Sequence, residues 1–216
     1  MLFRSSQTLG VVSTTASVGT IISATIPIFL VVFATLRLNQ SVSALQALGL
    51  FAAFVGIALV AFADEQGLDE MLKSSAIGVA WLLLSAITIA YSHVWSAELA
   101  GKHDTMTVLA WSTMFGLGAI LPWAAWEASR VAFVITWEGM ACAAYLGVFV
   151  TVVGVFLWLD ILRTVPAPIA AGVQFIQPIV GIAASAALFG DALGPLVVAG
   201  AVLVLIGVTL TTRVRR

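Results

Sequence analysis

Ser23 and Pro27 lie four residues apart, and Gln174 and Pro178 repeat that spacing 151 positions later. Proline has no N–H to donate, and its ring collides with the carbonyl four residues back. In a helix this frees the carbonyls of Ser23 and Gln174. A freed carbonyl cannot face hydrocarbon; it needs a side chain, a neighbouring helix or water in a cavity. The pairs Ser23/Pro27 and Gln174/Pro178 are therefore expected on an interior face. Gln177 adds a second amide one turn from Gln174. A buried amide offers donors and an acceptor without the cost of burying a charge, which suits recognition of a small polar solute. It suits a hydrogen bond between helices equally well.

Polar and small residues recur at helical spacing on three stretches, the last of them the one that carries Gln174 and Pro178. One stripe is Trp81, Ser85, Thr88, Ser92 and Trp95; another is Gly147, Thr151, Gly154 and Trp158; the third is Ala171, Gln174, Pro178, Gly181 and Ser185. A surface facing lipid should be apolar, so such stripes mark faces turned to protein or water, and they are expected to converge. Tight packing through small and hydroxyl residues is the competing reading. The candidate solute-binding set is Ser23, Pro27, Trp81, Ser85, Thr88, Ser92, Thr151, Trp158, Gln174, Gln177 and Pro178. His93 falls beside the Trp81 stripe, where a structural or interfacial role competes with proton relay. Asp160 lies three residues before Arg163, where a snorkelling ion pair competes with proton coupling. Glu98 reads as interfacial. The chain has no HExxH, no GxSxG and no paired intramembrane carboxylates, so no catalytic or metal-ligating set and no cofactor is expected, and an intramembrane enzyme is disfavoured. Cys142 is the single cysteine and can form no intrachain disulfide.

The elements that carry these residues follow from composition. The chain is 62% hydrophobic and 9% charged, with a mean hydropathy of +1.14, whereas soluble domains run near ~45–50% apolar and ~25% charged. Its charges divide it into seven uncharged runs, 5–36, 38–63, 74–97, 105–126, 139–159, 164–190 and 192–212. A helix needs roughly 20 apolar residues to cross a ~30 Å hydrocarbon layer, and every run is long enough. The spans are placed at 16–36, 42–62, 75–97, 106–126, 139–162, 167–189 and 193–212. A β-barrel would show short alternating segments, which are absent. Arg4 followed by a Ser/Thr-interrupted apolar patch is a poor match to a cleavable signal peptide. A net charge of −1 without a basic block gives no reason to expect nucleic acid as a partner; the expected partners are the lipid bilayer and a small-molecule solute.

Placing the tail Arg213, Arg215 and Arg216 in the cytoplasm puts Arg37, Lys102 and Arg163 inside as well; of the cations in the loops between spans, Lys73 and Arg130 fall outside. This obeys the positive-inside rule, and Trp123, Trp126 and Trp137 read as an interfacial belt. The 151-residue shift that relates Pro27 to Pro178 also relates Gly49 to Gly200 and Gly56 to Gly207, since 200 − 49 and 207 − 56 give the same number. From one Pro-bearing span to its counterpart the chain crosses five times, so the two copies must be inverted. The expected class is all-α: a polytopic transmembrane helix bundle with seven full spans, an N-terminal partial helix and an inverted repeat. Two five-span units would give ten helices, and the shift maps Met1 onto Val152, inside a span. The counterparts of 74–151 are thus expected to be missing, as in a fragment or truncated gene; a seven-span protein whose residues 1–13 form an interfacial segment is the alternative. Gly49, Gly56, Gly200 and Gly207 read as close-packing seams, either within one chain or in a homodimer.

The residues that carry these features resemble a known family. Ala16-Ser17-Val18, Thr25-Ile26-Pro27-Ile28-Phe29, Leu45 to Gly49 and Gly56-Ile57-Ala58-Leu59-Val60 stand in the first copy. In the second stand Leu146-Gly147-Val148-Phe149, Trp158, Gln177-Pro178-Ile179, Leu188-Phe189-Gly190-Asp191, Gly200 and Gly207-Val208. Together they are similar to EamA-like members of the drug/metabolite transporter superfamily. The resemblance implies a partial first EamA-like repeat over 1–72 and a complete second over 73–216, hence a ten-helix fold lacking its first two and a half helices. Where the family usually has Gly-Glu after the first Pro helix, this chain has Asn39-Gln40. The implied activity is a secondary carrier, permease or exporter, moving small metabolites, amino-acid-like compounds or drugs across the cytoplasmic membrane by alternating access. A non-transporting membrane subunit or fragment is the alternative.

Overall fold

A computed structural model describes residues 16–62, 75–130, 136–189 and 194–213, and among them the chain is helical with no strand. In chain order the helices are α1 (Ala16–Ser23), α2 (Ile26–Leu38), α3 (Ala44–Ala61), α4 (Ala76–Lys102), α5 (Thr105–Ala128) and α6 (Trp137–Tyr145). A π-helical segment, Leu146–Gly154, then leads into α7 (Val155–Thr164), α8 (Ala167–Gln174), α9 (Ile176–Phe189) and α10 (Pro195–Thr212). By length and apolarity they supply seven candidate membrane spans among the described residues, α1–α2 and α8–α9 each counting as one broken span. All seven coincide with the spans expected from the charge-free runs.

The duplication is visible in the element bounds. Shifted by 151, Ala16–Ser23 becomes Ala167–Gln174, and Ala44–Ala61 becomes Pro195–Thr212. Local chemistry fixes several of these ends. Ser43 opens α3 as a capping box: its hydroxyl accepts from the Gln46 N–H at 3.2 Å, and the Gln46 side chain accepts from the Ser43 N–H at 3.0 Å. Pro195 stands in the first turn of α10, where its missing N–H costs nothing. Helix α2 ends on Asn39 in the left-handed region (φ 51°), a conformation that Gly and Asn tolerate best.

The described helices form two compact units. The first joins α1–α3, α4 as far as Val94, and α8–α10, so it draws on both sequence copies. Its centre is the packing of α3 on α10. A Cβ added to Gly49 would stand 2.6 Å from the Gly207 carbonyl oxygen, and one added to Gly56 would stand 2.7 Å from that of Gly200. Because 49 meets 207 while 56 meets 200, the two helices are antiparallel. The contacts also exchange under the repeat: Gly49 meets Thr211 Cγ2 and Gly200 meets Val60 Cγ2, the counterpart pair. The seam therefore lies within one chain. Small residues allow this approach of backbones, and the dispersion contacts it creates replace the hydrophobic drive that lipid cannot supply. Helix α1 packs on α3 and α8 on α10, again as counterparts. The buried set here includes Leu30, Ile57, Phe175, Val204 and Thr211.

The second unit runs from Trp95 to Thr164. Helix α5 packs on α7, with Val108, Leu109, Leu159 and Leu162 buried. Trp123, Trp126 and Trp137 are exposed, and the Arg130 guanidinium lies 4.8 Å over the Trp126 ring. Exposed indoles near span ends fit the interfacial belt.

Candidate functional site

Both proline spans are broken at counterpart positions, 23 and 174. Helix α1 stops at Ser23, and Ala24 and Thr25 separate it from α2, in whose first turn Pro27 sits buried. Helix α8 stops at Gln174, and Phe175 alone separates it from α9. The last residues of the two half-helices, Ser23 and Gln174, are thus repeat counterparts. At the first break the Ile22 carbonyl accepts from the Thr25 N–H at 3.0 Å and from Thr25 Oγ1 at 2.6 Å. At the second, the Phe175 N–H donates to the Gly172 carbonyl at 3.1 Å. These turn hydrogen bonds satisfy the ends of the two half-helices.

Gln174 is half-buried, and its Oε1 is buried with no hydrogen-bond partner among the described residues. Ser23 and Gln177 are exposed, whereas Pro178 is half-buried. The first Pro helix and the second half-helix touch, since α2 packs on α8. Gln40 strengthens that contact: its Oε1 accepts from the Ala167 N–H at 2.7 Å, capping the start of α8 from the other copy.

Within the same unit, α1 meets α4 through Val18 and Ile22 on Leu82. One turn beyond Leu82, Ser85 is buried, while Trp81 and Thr88 are half-buried and Ser92 is exposed. Thr88 Oγ1 donates to the Leu84 carbonyl at 2.7 Å and Ser92 Oγ to the Ile89 carbonyl at 2.9 Å. Their protons are committed to the helix, so these hydroxyls are left able to accept. Trp95, the last member of this stripe, belongs to the other unit.

Thr151 and Trp158 also belong to the second unit, and both are half-buried. The expected regular stripe on this span is altered by the π-helical segment. Thr151 Oγ1 donates to the carbonyl of Leu146, five residues back, at 3.0 Å. The wider turn moves Gly147, Thr151 and Gly154 out of the straight line that 3.6-residue periodicity predicts. Asp160 pairs with Arg163 at 3.0 Å, both partly exposed, which matches the snorkelling reading and leaves little net stabilisation. Glu98 pairs similarly with Lys102 at 3.1 Å.

Sequence reasoning missed a contact on the α2–α4 face. Arg37 Nη1 donates to the Tyr91 hydroxyl at 2.6 Å, and Phe33 meets the Tyr91 ring edge-on at 5.5 Å. The four-residue spacing of Phe33 and Arg37 puts them on one face, but nothing local pointed to Tyr91. Pro122 inside α5 was likewise unremarked.

The family profile described as "EamA-like transporter family" matches residues 76–213, well over half of the 216-residue chain. The chain belongs to the EamA-like transporter family. This EamA-like protein is 25% identical over 209 residues to the "Uncharacterized transporter YvbV" of Bacillus subtilis (strain 168), covering 97% of this chain and 67% of that protein. It is 22% identical over 207 residues to an "Uncharacterized transporter" of Archaeoglobus fulgidus, covering 96% of this chain and 71% of that one. Family membership and the seven apolar helices together make it a multi-pass membrane transporter.

Proposed function

We propose that this EamA-like protein is a secondary carrier working by alternating access on a small polar solute rich in hydrogen-bond donors, such as an amine or an amino-acid-like compound. The observation that carries the reading is the buried Oε1 of Gln174 at a helix break, without a partner among the described residues. Leaving a buried acceptor unsatisfied costs about 1–3 kcal/mol, and a donor on the solute relieves that cost. Thr88 and Ser92 extend the same acceptor character along α4. Broken helices facing one another across an inverted repeat are a recurrent way to build a carrier site at mid-membrane.

The remaining candidates, Ser23, Pro27, Trp81, Ser85, Gln177 and Pro178, are proposed as lining or as shape-giving neighbours of Gln174; Thr151 and Trp158 are candidates carried by the second unit. Segments 1–72 and 73–216 are read as the two copies of the repeat. The C-terminus is placed in the cytoplasm, with export the implied direction. A homodimer would have to use a surface other than the four seam glycines, which are occupied within the chain. Counterflow in proteoliposomes tests the reading, comparing a primary amine with its N-acetylated and N-trimethylated analogues. Transport that is strongest for the amine and falls about tenfold or more in Gln174→Leu supports it. Equal handling of all three, or wild-type flux in the variant, overturns it.

A further inference from the structure

On the face of α10 turned away from Gly200 and Gly207, a groove of about 370 Å³ is lined by Val202, Leu205, Ile206, Thr209, Leu210 and Arg213. Thr209 Oγ1 donates to the Leu205 carbonyl at 2.7 Å, so the wall presents no free hydroxyl proton. The groove is apolar along its length and cationic at one end, where no described acidic side chain pairs with Arg213. Val202 and Arg213 are eleven residues apart, about 16 Å along a helix rising ~1.5 Å per residue. That is about half of a ~30 Å hydrocarbon layer, the depth of a single leaflet.

We propose that this groove holds one anionic phospholipid, its phosphate on Arg213 and an acyl chain lying along Leu210, Ile206, Leu205 and Val202. A basic residue at the membrane surface attracts anionic headgroups, and the unbranched chain of a lipid fits a shallow strip of bulky side chains. A second copy of α10 fits it poorly. Close helix pairing needs small residues, and on α10 Gly200 and Gly207 are already used against α3. A twofold along the membrane normal would also set Arg213 beside its own copy, like charge against like.

The test uses the whole chain in nanodiscs of mixed phosphatidylglycerol and phosphatidylcholine, reading the lipid retained per protein by native mass spectrometry. Wild type is expected to retain one phosphatidylglycerol in at least about fivefold preference. Arg213→Ala should cut that preference about fivefold with Arg215 and Arg216 left in place, and Ile206→Trp, which fills the groove and keeps the charge, should release the lipid. Equal retention of both lipids by wild type overturns the proposal, as does a preference undiminished by Arg213→Ala. Unchanged retention in Ile206→Trp reduces the effect to surface charge and overturns the groove. Efficient disulfide cross-linking of Ile206→Cys between copies assigns the face to a second chain instead.

Discussion

Gly49 and Gly207 meet backbone to backbone: a methyl on Gly207 would stand 2.5 Å from the Gly49 carbonyl oxygen, and one on Gly49 2.6 Å from that of Gly207. Gly56 and Gly200 repeat the relationship with the roles of the two copies exchanged. Such reciprocity is what a local twofold axis between the two antiparallel helices produces. The seam locks α3 to α10.

Gly207→Ala should therefore destabilise the protein by about 1–3 kcal/mol, the usual cost of overpacking, because the obstructing atoms are backbone. Gly19→Ala and Gly181→Ala have nothing within 4 Å of the added methyl, so they should be neutral or slightly stabilising. Thermal denaturation of the detergent-purified variants checks this. Equal melting for Gly207→Ala and Gly181→Ala would remove the seam from the account.

Gln40→Leu deletes the acceptor that caps Ala167 and should lower stability by about 1 kcal/mol, as loss of a helix cap does. Gln40→Glu keeps an acceptor and adds negative charge at a helix N-terminus, so it should match or exceed wild type by about 0.3–1 kcal/mol. The melting temperature should therefore fall for Gln40→Leu and hold or rise for Gln40→Glu. If both fall together, Gln40 acts by shape alone.

Asn39 holds φ 51°. Asn39→Gly should be tolerated, while Asn39→Val should cost about 1–2 kcal/mol, the penalty of a left-handed conformation for an ordinary side chain. Matching melting curves for the glycine and valine variants would contradict the cap geometry.

Gln174→Leu should reduce flux of an amine solute by about 10–100-fold, the worth of one hydrogen bond to a charged group, with membrane expression unchanged. Thr164→Ala, at the exposed end of α7, serves as the comparison and should keep wild-type flux. Initial rates normalised to protein in the membrane provide the measurement.

For orientation, Cys142→Ser provides a background in which single cysteines can be placed. Ser75→Cys should react with an impermeant maleimide added outside intact cells, and Asp104→Cys only after permeabilisation. The reverse pattern would turn the assigned topology over.

Much of this was legible before any packing was known, and the reason is the solvent. In hydrocarbon every backbone group must be satisfied within its own segment, so long uncharged stretches had to be helices, and the charges between them marked the ends. Pro27 and Pro178 foretold breaks for the same reason: a missing N–H can be located in a chain of letters. Equal spacing also related Gly49 to Gly200 and Gly56 to Gly207 as copies. It could not say that Gly49 would touch Gly207, because that contact joins residues 158 apart (207 − 49) and depends on how two helices choose facing sides. The hydrogen bonds of Gln40 to Ala167 and of Arg37 to Tyr91, and the burial of Gln174 Oε1, belong to that same class. The π-helical turns at Leu146–Gly154 escaped for a different reason: their residues fit an ordinary helix equally well, so local propensity held no sign of them.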